Sequence, residues 1–201
     1  MPRSIVLTLL VFICANLPAQ KFDSYLNAGI SASQIDGDKL NGYHKLGAVF
    51  GWDIIINIAD EWKLNTGLQY IGKGAKVSPN MVVGDYLKTQ LNYVSLPIVL
   101  QYYQNRLYFE AGVLPGYLFN AYVKDIEKYK RKDDGYYNNL DLPLCLGIGW
   151  KLTDQLNVGM RINYSLLSIA GTNSSTMNVY SLAYQLNNTI SITLSKKLNK
   201  E

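Results

Sequence analysis

The chain has 201 residues, 48% of them hydrophobic and only 17% charged, with 16 Tyr, 16 Gly, one His and two Cys. That length suits one domain or one small barrel, two Cys exclude a disulfide scaffold, and a formal net charge of +4 is too mild to indicate nucleic-acid binding. A soluble domain carries about 25% charged residues; here the deficit is not filled by apolar runs of membrane-helix length, so a bundle of spanning helices is excluded as well.

Residues 1–19 read as a cleaved secretory signal peptide. Arg3 is the basic start, Ile5 to Ala15 the apolar stretch, and Leu17-Pro18-Ala19 the cleavage site. Residues 20–201 are then the exported domain. Cleavage removes Cys14 and leaves Cys145 as a lone cysteine, read as a small semi-buried filler.

From there the chain alternates with a period of two, the signature of strands whose side chains point to opposite faces. The first strand has Leu26, Ala28, Ile30 and Ala32 on one face and Tyr25, Asn27, Gly29 and Ser31 on the other. The second sets Phe50, Trp52, Ile54, Ile56 and Ile58 against Gly47, Gly51, Asp53 and Asn57. The third sets Trp62, Leu64, Thr66, Leu68 and Tyr70 against Lys63, Asn65, Gly67 and Gln69. The fourth carries Leu96, Ile98, Leu100 and Tyr102 opposite Ser95, Pro97 and Gln101, and the fifth Leu107, Phe109, Ala111 and Val113 opposite Glu110 and Gly112. In the sixth, Leu142, Leu144, Leu146, Ile148 and Trp150 oppose Asp141, Pro143, Cys145, Gly147, Gly149 and Lys151. The seventh runs through Leu156, Val158, Met160, Ile162, Tyr164 and Leu166, and the eighth through Ile190, Ile192 and Leu194.

The connections alternate in length. Ala59–Glu61, Gln104–Arg106 and Thr153–Gln155 are short turns, whereas Asp36–Gly42, Gly74–Leu87, Ala121–Asn139 and Gly171–Val179 are long. Short turns at one end and long loops at the other predict an all-β, eight-stranded antiparallel up-and-down transmembrane β-barrel, with its loops extracellular. A soluble ligand-binding barrel would put the apolar face inside. Three features point the other way. Nine glycines fall on the polar face, where a narrow lumen has little room for side chains. Charge on that face is sparse and mixed in sign. Aromatic residues collect near strand ends on the apolar face, as in the interfacial girdles of membrane barrels: Trp52, Trp62, Tyr102 and Trp150 toward the short turns, Tyr70, Tyr117, Phe119 and Tyr164 toward the long loops.

Three segments carry a family resemblance. Thr66-Gly67-Leu68-Gln69-Tyr70-Ile71-Gly72-Lys73-Gly74 is followed by Leu91-Asn92-Tyr93-Val94-Ser95-Leu96-Pro97, and then by Ala111-Gly112-Val113-Leu114-Pro115-Gly116-Tyr117. Their order resembles the PorT-like outer-membrane β-barrel family of Bacteroidota. The resemblance implies a barrel in the bacterial outer membrane, contact with its phospholipid and lipopolysaccharide, and assembly by the barrel-assembly machinery. It also implies, as one reading, a component associated with protein secretion. The chain departs from such barrels in that Leu194 to Glu201 contains no aromatic residue.

Chemistry-bearing motifs are few. His44, near Asp36 and Asp38, is the centre of an alternative reading as a lipid-modifying enzyme, but there is no G-x-S-x-G elbow. One His and one remaining Cys do not make a zinc site, and neither Gly72-Lys73-Gly74 nor Gly147-Ile148-Gly149 opens a helix as a phosphate loop would. The expectation is therefore no enzyme, no cofactor and no metal. Asp53, Lys63, Glu110, Lys151 and Arg161 fall on the inward face as a polar network that closes the lumen, Arg161 pairing with Glu110 or Asp53; the alternative is a narrow pore. In the third long loop, Lys124, Lys128, Lys130, Arg131 and Lys132 stand against Asp125, Glu127, Asp133 and Asp134, with Tyr129, Tyr136 and Tyr137 interleaved. Cations and aromatic area together make this a contact surface for lipid phosphates or an anionic protein partner, and nothing points to nucleic acid. The reading is a structural or interaction protein with a polar closed lumen.

Overall fold

The structure is a computed structural model, and it describes residues 22–38, 42–77, 86–125, 130–132, 135–171 and 184–198. The predicted signal peptide lies outside the described residues.

The strands are β1 (Phe22–Asp36), β2 (Lys45–Asn57), β3 (Trp62–Lys76), β4 (Tyr86–Ser95), β5 (Ile98–Gln104), β6 (Leu107–Val113), β7 (Gly116–Asp125), β8 (Lys130–Lys132), β9 (Leu140–Asp141), β10 (Pro143–Lys151), β11 (Leu156–Ser165) and β12 (Leu186–Lys197). They make eight staves, because β4 and β5, β6 and β7, and β9 and β10 are each one stave with a short break, and β8 prolongs the β9–β10 stave against β7. At Leu96-Pro97 the proline cannot donate to a ladder. The neighbouring stave breaks beside it at Leu114-Pro115, and Leu96 N donates to Pro115 O at 2.8 Å, so the two interruptions satisfy each other. Behind them Val99, Leu114 and Cys145 form a small apolar cluster that buries Cys145 completely.

All pairings are antiparallel and successive, and β1 closes on β12 in a register running from Tyr25↔Lys197 to Asp36↔Leu186. At the short-turn end of that seam an ion pair of 2.8 Å joins Lys197 to Asp23, and Leu198 N donates to Ser24 O. The eight-stranded closed barrel is the fold the alternation predicts. Closure removes every free edge from the wall, the requirement for strands in lipid.

The two faces settle which way the apolar side points. Leu46 is 71% exposed, Ile30 64% and Leu68 56%, while Asn27, Ser31, Asp53, Asn65, Gln101, Glu110 and Arg161 are buried. In water each such outward side chain would forgo about 1.5–3 kcal/mol of burial, so this surface belongs in hydrocarbon.

Some predicted boundaries move. The third long loop is partly strand: β7 reaches Asp125, and Lys130–Lys132 returns as β8 against Tyr122–Lys124. Together with the outer ends of β3 and β4 it prolongs the sheet, where hydrogen-bonding to a neighbour satisfies backbone that an irregular loop would leave to solvent.

Candidate functional site

The barrel interior is filled in layers, each built by cross-strand register. At its centre Arg161 Nε donates to Glu110 Oε1 at 2.7 Å and Nη2 to Oε2 at 3.1 Å, with both side chains almost wholly buried. Gln101 Nε2 donates to the same Oε2 at 3.0 Å, and Tyr103 Oη in turn to Gln101 Oε1. This fork-to-fork pairing is the strong form of a carboxylate–guanidinium contact. Gly147 makes it possible: it lies in register between Glu110 and Arg161, and a Cβ there would come within 2.6 Å of Glu110 Oε1. Two residues along, Gly149 plays the same part for Tyr108, whose ring would sit 2.0 Å from a Cβ at that position. The inward glycines thus leave space that a neighbouring stave fills with a large side chain.

Asp53 takes its hydrogen bond from Asn65 Nδ2 at 3.4 Å, not from Arg161. Beside it remains a cavity of about 10 Å³, lined by Tyr25, Asp53, Asn65, Tyr108, Glu110 and Arg161, room for about one water. Lys63 and Lys151 stand apart from the ion-paired layer: their ammonium groups lie 4.8 Å and 4.3 Å from the Tyr103 ring centroid, at the short-turn end. Tyr103 stacks on Tyr108 at 5.0 Å, so these aromatic rings and cations form the lower seal.

Above the central layer is a second ion-paired group that was not singled out in advance. Lys73 Nζ meets Asp141 Oδ2 at 2.9 Å; Ser165 Oγ donates to Asp141 Oδ1 at 2.6 Å, and Asn187 Nδ2 to Oδ2 at 2.9 Å. Lys73 also lies over the Tyr93 ring. Both charges were visible in the alternation, Lys73 at odd parity with Lys63 and Asn65 and Asp141 at odd parity with Gly147 and Gly149. Only the barrel brings together residues 68 positions apart.

At the long-loop end apolar side chains join the buried Ser33, Lys45 and Thr89, so the lumen is not polar throughout. Ile35, Val49, Ile71, Ala75, Leu91, Leu118, Ala121 and Ile169 form a buried cluster with Tyr93. Here the staves rise past the membrane while their inward parity continues, and loop residues close over them, so the interior packs as a small soluble core. Ile169 caps it. Its carbonyl accepts from Asn138 N at 2.7 Å, its N–H donates to Gln185 O, and Gly171 N donates to Tyr136 O. Asn138 Nδ2 donates to the carbonyls of Ser168 and Ala170.

On the outer surface Trp52, Trp62, Tyr117 and Trp150 are exposed. Trp62 packs on Tyr102 at 4.9 Å, Tyr70 stacks on Phe50 at 4.4 Å, and Tyr70 Oη donates to Asn92 Oδ1. Trp62 and Tyr70 are eight residues apart on β3, which at about 3.3 Å per residue and a tilt near 40° is roughly 20 Å along the membrane normal, near the height of an outer-membrane apolar band.

Of the loop residues, Lys128 and Tyr129 lie outside the described residues. Lys124 is the next-to-last residue of β7, and Lys130, Arg131 and Lys132 form β8. Tyr136 and Tyr137 contact each other edge to face at 4.9 Å, and Tyr137 packs against the apolar cap rather than standing clear of it. His44 is exposed, with its imidazole over Gly42, while Asp36 accepts from Gln34 Nε2. Among the described residues no three His, Cys, Asp or Glu side chains gather to hold a metal.

Known structures share the architecture. Ail, the attachment invasion locus protein of Yersinia pestis, solved in complex with the heparin analogue sucrose octasulfate, is 13% identical with a TM-score of 0.52, over 89% of this chain and 99% of that one. Neisserial surface protein A is 11% identical with a TM-score of 0.57, over 87% and 97%. At those identities the likeness is one of fold. No curated protein matches the chain in sequence. The family model for the outer membrane protein beta-barrel domain matches residues 18–171. A closed barrel, apolar outside and filled within, and matched by that model over most of its length, is a member of the outer membrane protein beta-barrel domain family.

Proposed function

We propose that the protein is a closed, non-conducting barrel of the outer membrane that acts through its extracellular elements, as a structural or interaction protein and not as an enzyme. The observation that carries this reading is the filled interior: the Tyr103–Tyr108 seal, the Glu110–Arg161 and Lys73–Asp141 layers, and the apolar cap under Ile169 follow one another along the axis. The aromatic residues Trp52, Trp62, Tyr70, Tyr102, Tyr117 and Trp150 are its interfacial girdles, and Met1 to Ala19 its cleaved export signal. The barrel contacts outer-membrane lipid and is inserted by the barrel-assembly machinery. Its partner is anionic, met by the basic segment from Lys124 to Lys132; the sulfated ligand held by Ail is a precedent on a similar barrel. Purified protein in planar bilayers is expected to be silent. A reproducible open channel in the wild type would overturn the closed reading in favour of a narrow pore.

The motifs around Lys73, Pro97 and Gly116 support a second reading, a PorT-like role in protein secretion. On that reading, deleting the gene blocks export of cargo proteins to the cell surface, and unchanged export removes it. An altered lipid A profile that is lost in His44→Ala would instead favour the lipid-modifying alternative.

A further inference from the structure

The outer ends of three strands carry a row of lysines that no stretch of the sequence displays. Lys76 on β3 pairs with Lys88 on β4, and Lys88 pairs with Lys124 on β7. Residues directly opposite on neighbouring strands share a face, and like charges placed so destabilise the sheet. Two consecutive Lys–Lys pairs therefore oppose folding of the strand ends that carry them. At about 4.8 Å between strands the row is roughly 10 Å long. Lys76 is exposed, and Lys88 and Lys124 are half-buried. One register step toward the membrane lie Gln90 and Tyr122, so hydrogen-bonding groups flank the cations.

Height narrows the ligand. Lys76 is six residues beyond Tyr70 on β3, roughly 15 Å further out along the membrane normal at the usual rise and tilt. Phospholipid headgroups occupy only about 5–8 Å outside the hydrocarbon, below the level of the row. A phosphate borne on a saccharide headgroup reaches it, and its hydroxyls suit Gln90 and Tyr122.

We propose that Lys76, Lys88 and Lys124 form a docking rail for the phosphorylated saccharide headgroup of an outer-leaflet glycolipid. The proposal rests on the interaction reading above. It is independent of whether the lumen is closed, so a conducting barrel would leave it intact, and failure of the rail would leave the closed barrel intact.

The test compares the full chain with K76Q/K88Q/K124Q in zwitterionic micelles. The probes are lipopolysaccharide with a phosphorylated core, the same lipopolysaccharide after dephosphorylation, phosphatidylglycerol vesicles and inositol hexakisphosphate. The wild type is expected to prefer the phosphorylated glycolipid over each of the other three. The triple variant is expected to bind it at least about tenfold more weakly, with a shallower salt dependence, and to unfold no more readily than the wild type, because two repulsive pairs are gone. R106Q/K196Q, which removes two exposed cations at the short-turn end, should bind like the wild type. K124Q alone gives a smaller loss in the same direction and serves if the triple variant does not fold. Unchanged binding of the triple variant and of K124Q overturns the proposal. Equal binding of the dephosphorylated lipid, of phosphatidylglycerol or of inositol hexakisphosphate overturns the assignment to a phosphorylated saccharide headgroup.

Discussion

Replacing Arg161 by alanine tests the central layer of the barrel directly. Arg161 supplies two of the three hydrogen bonds received by the Glu110 carboxylate, at 2.7 and 3.1 Å, while the third, from Gln101, is neutral. The Glu110 side chain is only 2% exposed, so without Arg161 its charge would be stranded in a site that water barely enters. Breaking a buried pair from one side costs about 3–5 kcal/mol, and that loss is expected here. Removing both partners together, as in Arg161→Met with Glu110→Leu, should bring stability back to within about 1 kcal/mol of the wild type or above it, since apolar replacement of a buried pair is neutral or stabilising. The assay is urea unfolding from phospholipid vesicles, followed by tryptophan fluorescence and by the mobility shift of folded barrel on gels. A double-mutant cycle then isolates the coupling. A loss below about 1 kcal/mol for Arg161→Ala, or additive effects with coupling below about 0.5 kcal/mol, would mean that the pair is solvated, and the picture of a packed lumen would be wrong.

Lys73→Met should be costly for the same reason, by about 3–5 kcal/mol, because Asp141 keeps only neutral donors from Ser165 and Asn187; a variant as urea-resistant as the wild type would contradict the second layer. Gly149→Ala places a methyl group within the ring of Tyr108. It should cost about 1–3 kcal/mol as overpacking, and relief by Tyr108→Ala in the same chain, read in the same assay, would identify the clash. Ile169→Ala removes the buried cap and should cost about 2–5 kcal/mol, with faster hydrogen exchange at Asn138 and Gly171, whose amides are held by the loop pairing around it.

Much of the barrel was legible along the chain. Alternation from Leu142 to Trp150 and from Leu156 to Leu166 placed each side chain on a face, because a strand has only two. The scarcity of charge and the inward glycines then distinguished a lipid-facing barrel from a soluble one. Arg161 and Glu110 were visible as inward charges. That Arg161 holds Glu110 while Asp53 turns to Asn65 was not, because strand parity says nothing about height. The apolar cap was missed because Ile169 sits in a long connection without periodicity, and its partners Ile35, Leu91 and Leu118 come from three separate staves.

The sequence by itself determined the fold class, the two faces and the scarcity of charge: a period of two is local, and one side of this wall is oil while the other is a narrow space. Only the tertiary structure decided who meets whom. Register between staves is set by backbone hydrogen bonds, and these join residues as distant as Leu26 and Lys196. A shift of two residues in any pair would preserve every face, yet it would separate Glu110 from Arg161 and break the row of Lys76, Lys88 and Lys124.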